Sequence, residues 1–580
     1  MVGQEGRKGL ELQMGELPMK SMSTARTLAL LGTSIAAVAL GGAALAQSDP
    51  IDPPTAPAST TPAPATPECL AASNNCSLAT QEGTDLVIDI DQSGSGNVSD
   101  VDQVNGSTGD GVTIGVDVDQ TGDDNQSYVL QDGTTNSTVS ILQDGVGAES
   151  SVIQIDAGGH KVSVAQTGEN DSFVFQEGPD FGGDSRVEII QFGGDGNTSV
   201  AFQQSVSDGR IGQPGGAANG VTQNGNRNNS EVYQGDFVGT DNANRLSAEV
   251  NQTGDDNDSF ISQSNIDPVG QVFPNANTRV RVNQIGFDNA SSIVQSGARG
   301  GQASSGFNVD VLQDGNDNLS RVVQDNQTSA PGEASTALVT QENSGNDSFV
   351  DQSAASATAI VDQQSSDTSA FVSGSPRLNV LDSTPGNDVF DTVRANFSNI
   401  EQSNTGDMTA DVGQFGVGNR SDLRQSNPSG TAVTFMRQFG DNHNSDVLQT
   451  GDGLISIGQG DFSSGAGNNS LVEQAGANNI AFVNQIGELN ESQINQTAGS
   501  ASNLADVDQD GDSSFSGIEQ SGSNNSANLI QTLGSADNVS LIIQDGSMNN
   551  ATVTQNATDN FSQVTQNGTG NMVTVTQGTP

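Results

Sequence analysis

The chain has no tryptophan, two tyrosines, two histidines and two cysteines in 580 residues. Cations are scarce too: Lys and Arg total 18 against 70 Asp and Glu, a net charge of −52. After Ala46 the only lysine is Lys161. Each shortage removes a class of function. So acidic a chain repels nucleic acid and anionic membrane surfaces. His160 and His443 stand far apart, His443 within Asp441-Asn442-His443-Asn444, and both read as solvated turn residues. There is no Ser-His-Asp order, no nucleotide loop and no Cys/His cluster. A saccharide-cleaving scaffold would gather basic or metal-binding residues on one face, which few cations permit. The reading is therefore of a non-enzyme with no cofactor.

Apolar residues make up 32% of the chain, and part of that lies in one N-terminal run. A large globular core is hard to build from the rest. Two possibilities remain, disorder or a thin repetitive fold whose units bury a little against their neighbours.

The N-terminal run is Leu28 to Leu45, preceded by Lys20 and Arg26 and closed by Ala44-Leu45-Ala46 before Gln47. Cations, an apolar stretch and a small-x-small site make a secretory signal peptide, so residues 1–46 read as a signal region and the mature chain begins at Gln47. A membrane anchor is the weaker reading, because no stop-transfer pattern follows. Residues 47–80 are rich in Pro, Thr, Ala and Ser at first and read as an extended linker. Cys69 and Cys76 lie in that stretch. In an oxidising compartment their spacing suits a local disulfide, and no histidine lies near to suggest zinc.

From Gln81 onward the chain repeats itself. A frame Q-x-G-x-x-N-x5-Q matches in full twelve times, where chance at this composition gives well under about one. Its Gln, Asn and second Gln are Gln92, Asn97, Gln103; Gln120, Asn125, Gln131; Gln223, Asn228, Gln234; Gln252, Asn257, Gln263; Gln284, Asn289, Gln295; and Gln313, Asn318, Gln324. They recur as Gln414, Asn419, Gln425; Gln474, Asn479, Gln485; Asn490, Gln496; Gln520, Asn525, Gln531; Gln544, Asn549, Gln555; and Gln566, Asn571, Gln577. Gln341, Gln352 and Gln363 keep the step without every Gly and Asn. Ser or Ala usually follows the Asn by two, as at Ser259 and Ala551, and an aliphatic residue comes two later, as at Ile261 and Val553.

Ser/Ala, aliphatic and Gln thus fall on one face of a strand with period two. Gly and Asn between strands tolerate left-handed backbone. The expected class is all-β: a repetitive β-solenoid over residues 81–578, with two-stranded rungs of about 22 residues stacked at about 4.8 Å. Buried amides at one height per rung would hydrogen-bond along the stack, whereas an unstacked buried amide is costly. Segments 204–222, 264–280 and 325–337 contain Pro and Gly and read as loops extruded from turns. The main break, 365–400, reads as a long loop, a distorted rung or a hinge.

The frame Q-x-G-x-x-N-x-[A/S]-x3-Q resembles the curlin repeat of bacterial curli subunits. The resemblance covers most of 81–578 and implies a solenoid subunit that passes through the periplasm and an outer-membrane export channel. It also implies self-association into extracellular amyloid fibres of a biofilm, with other curli-type subunits as partners. This chain is longer, less regular and more acidic than a typical curlin. Asp508, Asp510, Asp512 and Glu519 match part of an EF-hand spacing, but Ser513 stands where glycine is needed. Gly193-Gly194-Asp195-Gly196-Asn197 resembles one calcium-binding turn but lacks tandem neighbours. Weak, non-specific calcium binding by Asp-rich turns is the expectation there. The function expected is a secreted fibre or matrix protein. The alternative is a monomeric secreted solenoid that acts as an adhesin.

Overall fold

The computed structural model describes residues 75–578 apart from 85, 107–113, 179–184, 205, 208–209, 212–219, 236–242, 245, 265–277, 297–307, 326–334, 354–355, 366–395, 404–406, 427–429, 461–466 and 533. All of these belong to one compact unit, Pro53–Asp382 with Val389–Pro580. The signal region 1–46 and Cys69 lie outside the described residues.

Short β-prone segments alternate with Gly/Asn turns, and the described chain forms strands and turns with no helix. Apart from the short pair Val206–Ser207 and Ala243–Asn244 and the insertion strand Arg210–Ile211, successive strands go alternately to two parallel sheets. The first holds 19 strands, from Cys76–Gly83 to Phe561–Thr569. The second runs from Leu86–Ser95 to Met572–Gln577. One strand from each makes a rung, and 19 rungs rise about 90 Å. This is the β-solenoid that the sequence predicts.

Register is kept along the stack, with one shift at Glu82/Gly83 in the first pair. Strand Leu246–Thr253, for example, pairs with Thr278–Ile285 so that Ala248 meets Val280, Val250 meets Val282 and Gln252 meets Gln284. A one-residue slip would turn every glutamine outward, so the buried face fixes the pairing. Between the sheets lies one continuous hydrophobic cluster, from Val101 to Val564, to which strands of the first sheet give one aliphatic residue each and most strands of the second give two, as Ala248 with Val250. A second, smaller cluster sits on the outer face of the first sheet. There Phe175 and Phe202 stack at 4.7 Å between ring centroids, and Tyr233 and Phe260 continue the row.

Three readings of the sequence are corrected. The first strand starts at Cys76, inside the stretch 47–80 read as linker. Ser77, Ala79 and Gln81 pair with Ser99, Val101 and Gln103, so the alternation begins one strand earlier than a frame anchored on Gln-x-Gly reveals. The extruded loops are narrower than 204–222, 264–280 and 325–337. Gln204, Val221, Ser264, Thr278, Asp325 and Thr336 all belong to strands. The first of these insertions also feeds the core. Arg210–Ile211 pairs with both Arg186–Val187 and Ser247–Ala248, burying Ile211 beside the shortened strand Val221–Asn224. Third, strand runs up to Gln364, just before the expected break 365–400, and resumes inside it at Asn396. Asn346–Gln352 pairs with Asn396–Ser403, and Ser356–Gln364 with Asp407–Phe415, without loss of register. The stack passes this point unbroken, which removes the hinge, and residues 366–395 lie outside the described ones.

Candidate functional site

The turns come first, because they set the heights of the amides. In Gln252–Asn257, Gly254 has φ +114°, a conformation open to glycine at no steric cost. A Cβ there would lie 2.0 Å from the carbonyl oxygen of Gly286 in the next rung. That carbonyl accepts from Nδ2 of Asn257 at 2.9 Å. Asp256, at φ +59°, turns the chain into the following strand. Oδ1 of each Asn accepts the backbone N–H of the Asn one rung on: Asn97 from Asn125 at 3.0 Å, Asn228 from Asn257 at 3.1 Å, Asn257 from Asn289 at 3.2 Å. Asn318, Asn419, Asn490, Asn525, Asn549 and Asn571 engage in the same way, and Oδ1 of Asn479 accepts from Asn503. All the Asn of the frame are buried except the terminal Asn571.

With the turns fixed, the glutamines form two columns. In the first sheet the column runs through Gln81, Gln103, Gln131, Gln154, Gln176, Gln203, Gln234, Gln263, Gln295, Gln324, Gln352, Gln402, Gln425, Gln449, Gln474, Gln496, Gln520, Gln544 and Gln566. Each Nε2 donates to the next Oε1 at 2.7–3.0 Å. In the second it runs from Gln92 through Gln120, Gln143, Gln166, Gln191, Gln223, Gln252, Gln284, Gln313, Gln341, Gln363, Gln414, Gln438, Gln459, Gln485, Gln509, Gln531 and Gln555 to Gln577. The distances and the direction are the same. The frame glutamines are buried except Gln92 and Gln577, in the outermost rungs.

The direction of the second column is held by chemistry. Each Nε2 also donates to a backbone carbonyl of the facing strand, as Gln120 to Val98, Gln252 to Asn229 and Gln577 to Phe561. A reversed amide would set oxygen against oxygen.

Sequence reasoning missed several members. Gln143, Gln154, Gln191, Gln203, Gln438, Gln449 and Gln459 lie on the columns without a complete frame around them. The signal available was the strand face itself, as in Val139-x-Ile141-x-Gln143. The histidines were misread as solvated. His160 is buried. His443 is buried and takes the place of an Asn: its backbone N–H donates to Asn419 Oδ1 at 3.0 Å, and its Nδ1 accepts from Asn468 N–H at 3.3 Å. Nε2–H donates to the Phe439 carbonyl at 2.8 Å, so the ring is the neutral Nε2–H tautomer. Burial holds its pKa below the ordinary value. Its neighbours Asp441-Asn442 suggest an exposed turn, but its spacing to Gln449 is that of a ladder Asn.

Carboxylates face outward and stack on one another. Asp89 and Asp91 lie directly over Asp117 and Asp119, and Asp351 over Glu401. Burial, helped by Glu401, pushes Asp351 up to about 6 against the pull of Arg321. Among the described residues no three His, Cys, Asp or Glu side chains are grouped to hold a metal ion. Asp508 and Asp510 end the strand Leu504–Asp510, and Asp195 and Asn197 serve the ladder turn, accepting from Glu169 N–H and donating to Gly225 O. Cys76 is disulfide-bonded.

Among the described residues no further strand covers the outermost rungs. Ser77, Ala79 and Gln81 are exposed at one end, and Met572 is 77% and Phe561 48% exposed at the other. Ile88, Ile90, Val573 and Val575 are only partly covered although they continue the core columns.

Residues 501–532 match the family model of the curlin associated repeat. No curated protein matches the chain. The matched stretch contains Gln509, Gln520, Asn525 and Gln531, positions repeated from end to end of the stack, so the chain carries the curlin associated repeat.

Proposed function

We propose that this chain is a secreted structural protein, a curli-type subunit that assembles into extracellular amyloid fibres of a biofilm matrix. The observation that carries the reading is the pair of unbroken amide columns in parallel, in-register strands. This is the hydrogen-bonding arrangement of a cross-β fibre, realised within one chain. The outermost rungs, uncovered among the described residues, add strand edges, which are templates for further strands. The same reading sends the chain across the inner membrane by its N-terminal signal and out through an outer-membrane channel. It also makes other curli-type subunits its neighbours, and its role in adhesion a property of the fibre.

The test uses the mature chain from Gln47. After incubation it should show fibres by electron microscopy, bind thioflavin, and give a reflection at about 4.8 Å along the fibre axis. A chain that remains monomeric over a full range of salt and calcium would replace this reading with that of a monomeric adhesin.

A further inference from the structure

On the outer face of the second sheet, side chains stand in columns with one member per rung, about 4.8 Å apart. Where aromatic residues fall on neighbouring rungs their rings pack together, as Phe415 and Phe439 do at 5.0 Å between centroids. Phe435 and Phe482 are placed otherwise. Phe435 pairs with Ser456, and Ser456 with Phe482, so a rung with a small side chain separates the two rings. They are 41% and 37% exposed. On the next column the same middle rung offers Gly458, between Arg437 and Asn484. A Cβ there would find no atom nearer than Asn484 Oδ1 at 3.5 Å. Strand Gly453–Gln459 is thus the floor of a cleft with a phenyl ring on either side, two rungs or about 9.6 Å apart. Leu454 bounds it at one end.

The surroundings are negative. Residues 438–580 contain no Lys or Arg. Asp506 lies directly beyond Phe482, and Asp508 follows on the same strand. Burial and the charge of Asp508 both push the Asp506 carboxyl above its ordinary range, so its negative charge is left uncompensated. Arg437 is turned away from the cleft: its side chain crosses Gly413, and its guanidinium donates to Asp411 at 2.7 Å.

An aromatic face attracts a cation within about 6 Å of the ring centroid. A cation midway along the floor is about 4.8 Å from each wall, within reach of both rings. A primary ammonium would have to shed strongly held water. A quaternary ammonium has no N–H to satisfy, and its methyl groups suit two rings and Leu454. We propose that the cleft between Phe435 and Phe482 binds a small, soluble quaternary ammonium ion of the choline type. Its charge lies between the rings, and its hydroxyl is in reach of Ser456 and Asn484. The free ion is favoured over a lipid headgroup, whose phosphate would meet Asp506 and Asp508. This is a ligand site on the flank of a single chain, beyond the structural role proposed above.

The test titrates the mature monomeric chain from Gln47 with choline, followed by saturation-transfer NMR. The comparison is the neutral compound of the same shape, in which carbon replaces the charged nitrogen. Choline should bind at least about tenfold more tightly. Phe435→Leu and Phe482→Leu keep apolar bulk but lose the ring, and each should weaken choline at least about fivefold. Asp506→Asn should weaken it by about twofold at low salt and not at high salt. Ser456→Phe fills the cleft with a third ring and should abolish binding, while hydrogen exchange of Gly453–Gln459 shows that the rung stays folded. Equal affinity for choline and its neutral counterpart, unchanged affinity in Ser456→Phe, or no binding at all overturns the site. Tighter binding to phosphatidylcholine vesicles than to free choline overturns the choice of ligand. None of these outcomes touches the fibre reading, which is tested on the incubated wild-type chain.

Discussion

A glutamine in either column makes bonds to the rung above and the rung below. Replacing Gln252 by leucine strands the donor of Gln223 and the acceptor of Gln284 in a dry interior. The expected loss is roughly 2–4 kcal/mol, one desolvation penalty for each orphaned group, against almost none for Thr253→Ala on the exposed face; urea unfolding distinguishes them. His443 gives a sharper case. His443→Asn should retain stability at neutral pH, since Asn fills that position in neighbouring rungs, while His443→Ala should lose about 1–3 kcal/mol. Because burial lowers the pKa of His443, its contribution is complete above the ordinary 6.5 and is lost as pH falls below it. Melting of His443→Asn below pH 6.5 should lack that loss. Asp351 works in the other direction. Its pKa is raised from 3.8 to about 6, so its penalty is present above about 6 and is relieved as pH falls toward 3.8. Asp351→Asn should stabilise the chain at pH 7 by about 2–3 kcal/mol and flatten melting temperature across that window.

At the scale of strand and turn, glycines divide by what lies above them. Gly254→Ala meets the Gly286 carbonyl as well as an unfavourable φ. Gly534, at φ +81°, has nothing within 4 Å of an added Cβ. The first substitution should cost roughly 2–4 kcal/mol and the second about 1, measurable by thermal unfolding. Replacing residues 366–395 by a short Gly-x-x turn should leave circular dichroism unchanged, because Asn396 already bonds Asn346 at 3.0 Å across that insertion. This is also where the sequence was most and least readable. Gln252 and Asn257 were legible because a tight turn fixes their separation, and fixed separation is visible in a sequence. Gln203 and Gln234 were harder to connect, since the step of 31 residues from one to the other includes an insertion of no set length. The stack's first strand was missed for a related reason: Asn75 accepts from Asn97 N–H at 3.2 Å, but no Gln-x-Gly precedes it. The buried histidine could not be inferred from composition, because its role depends on what lies one rung away.

As a whole molecule the solenoid has neighbours only above and below, so its stability is a sum over rungs and their interfaces. Hydrogen exchange should therefore be graded, fastest in Leu86–Ser95 and Met572–Gln577 and slowest near Leu246–Thr253; uniform protection would show an all-or-none unit instead. The one-way amides bear on a property of another kind. A peptide-like group carries a dipole of about 3.5 D, and dipoles aligned head to tail add. Two columns of glutamines whose N–H groups all face the Gln577 end make the stack electrically polar along its length. The acidic residues of the first rung deepen the negative pole. Such a molecule should orient in an applied field, and transient electric birefringence would read that moment directly in the isolated chain.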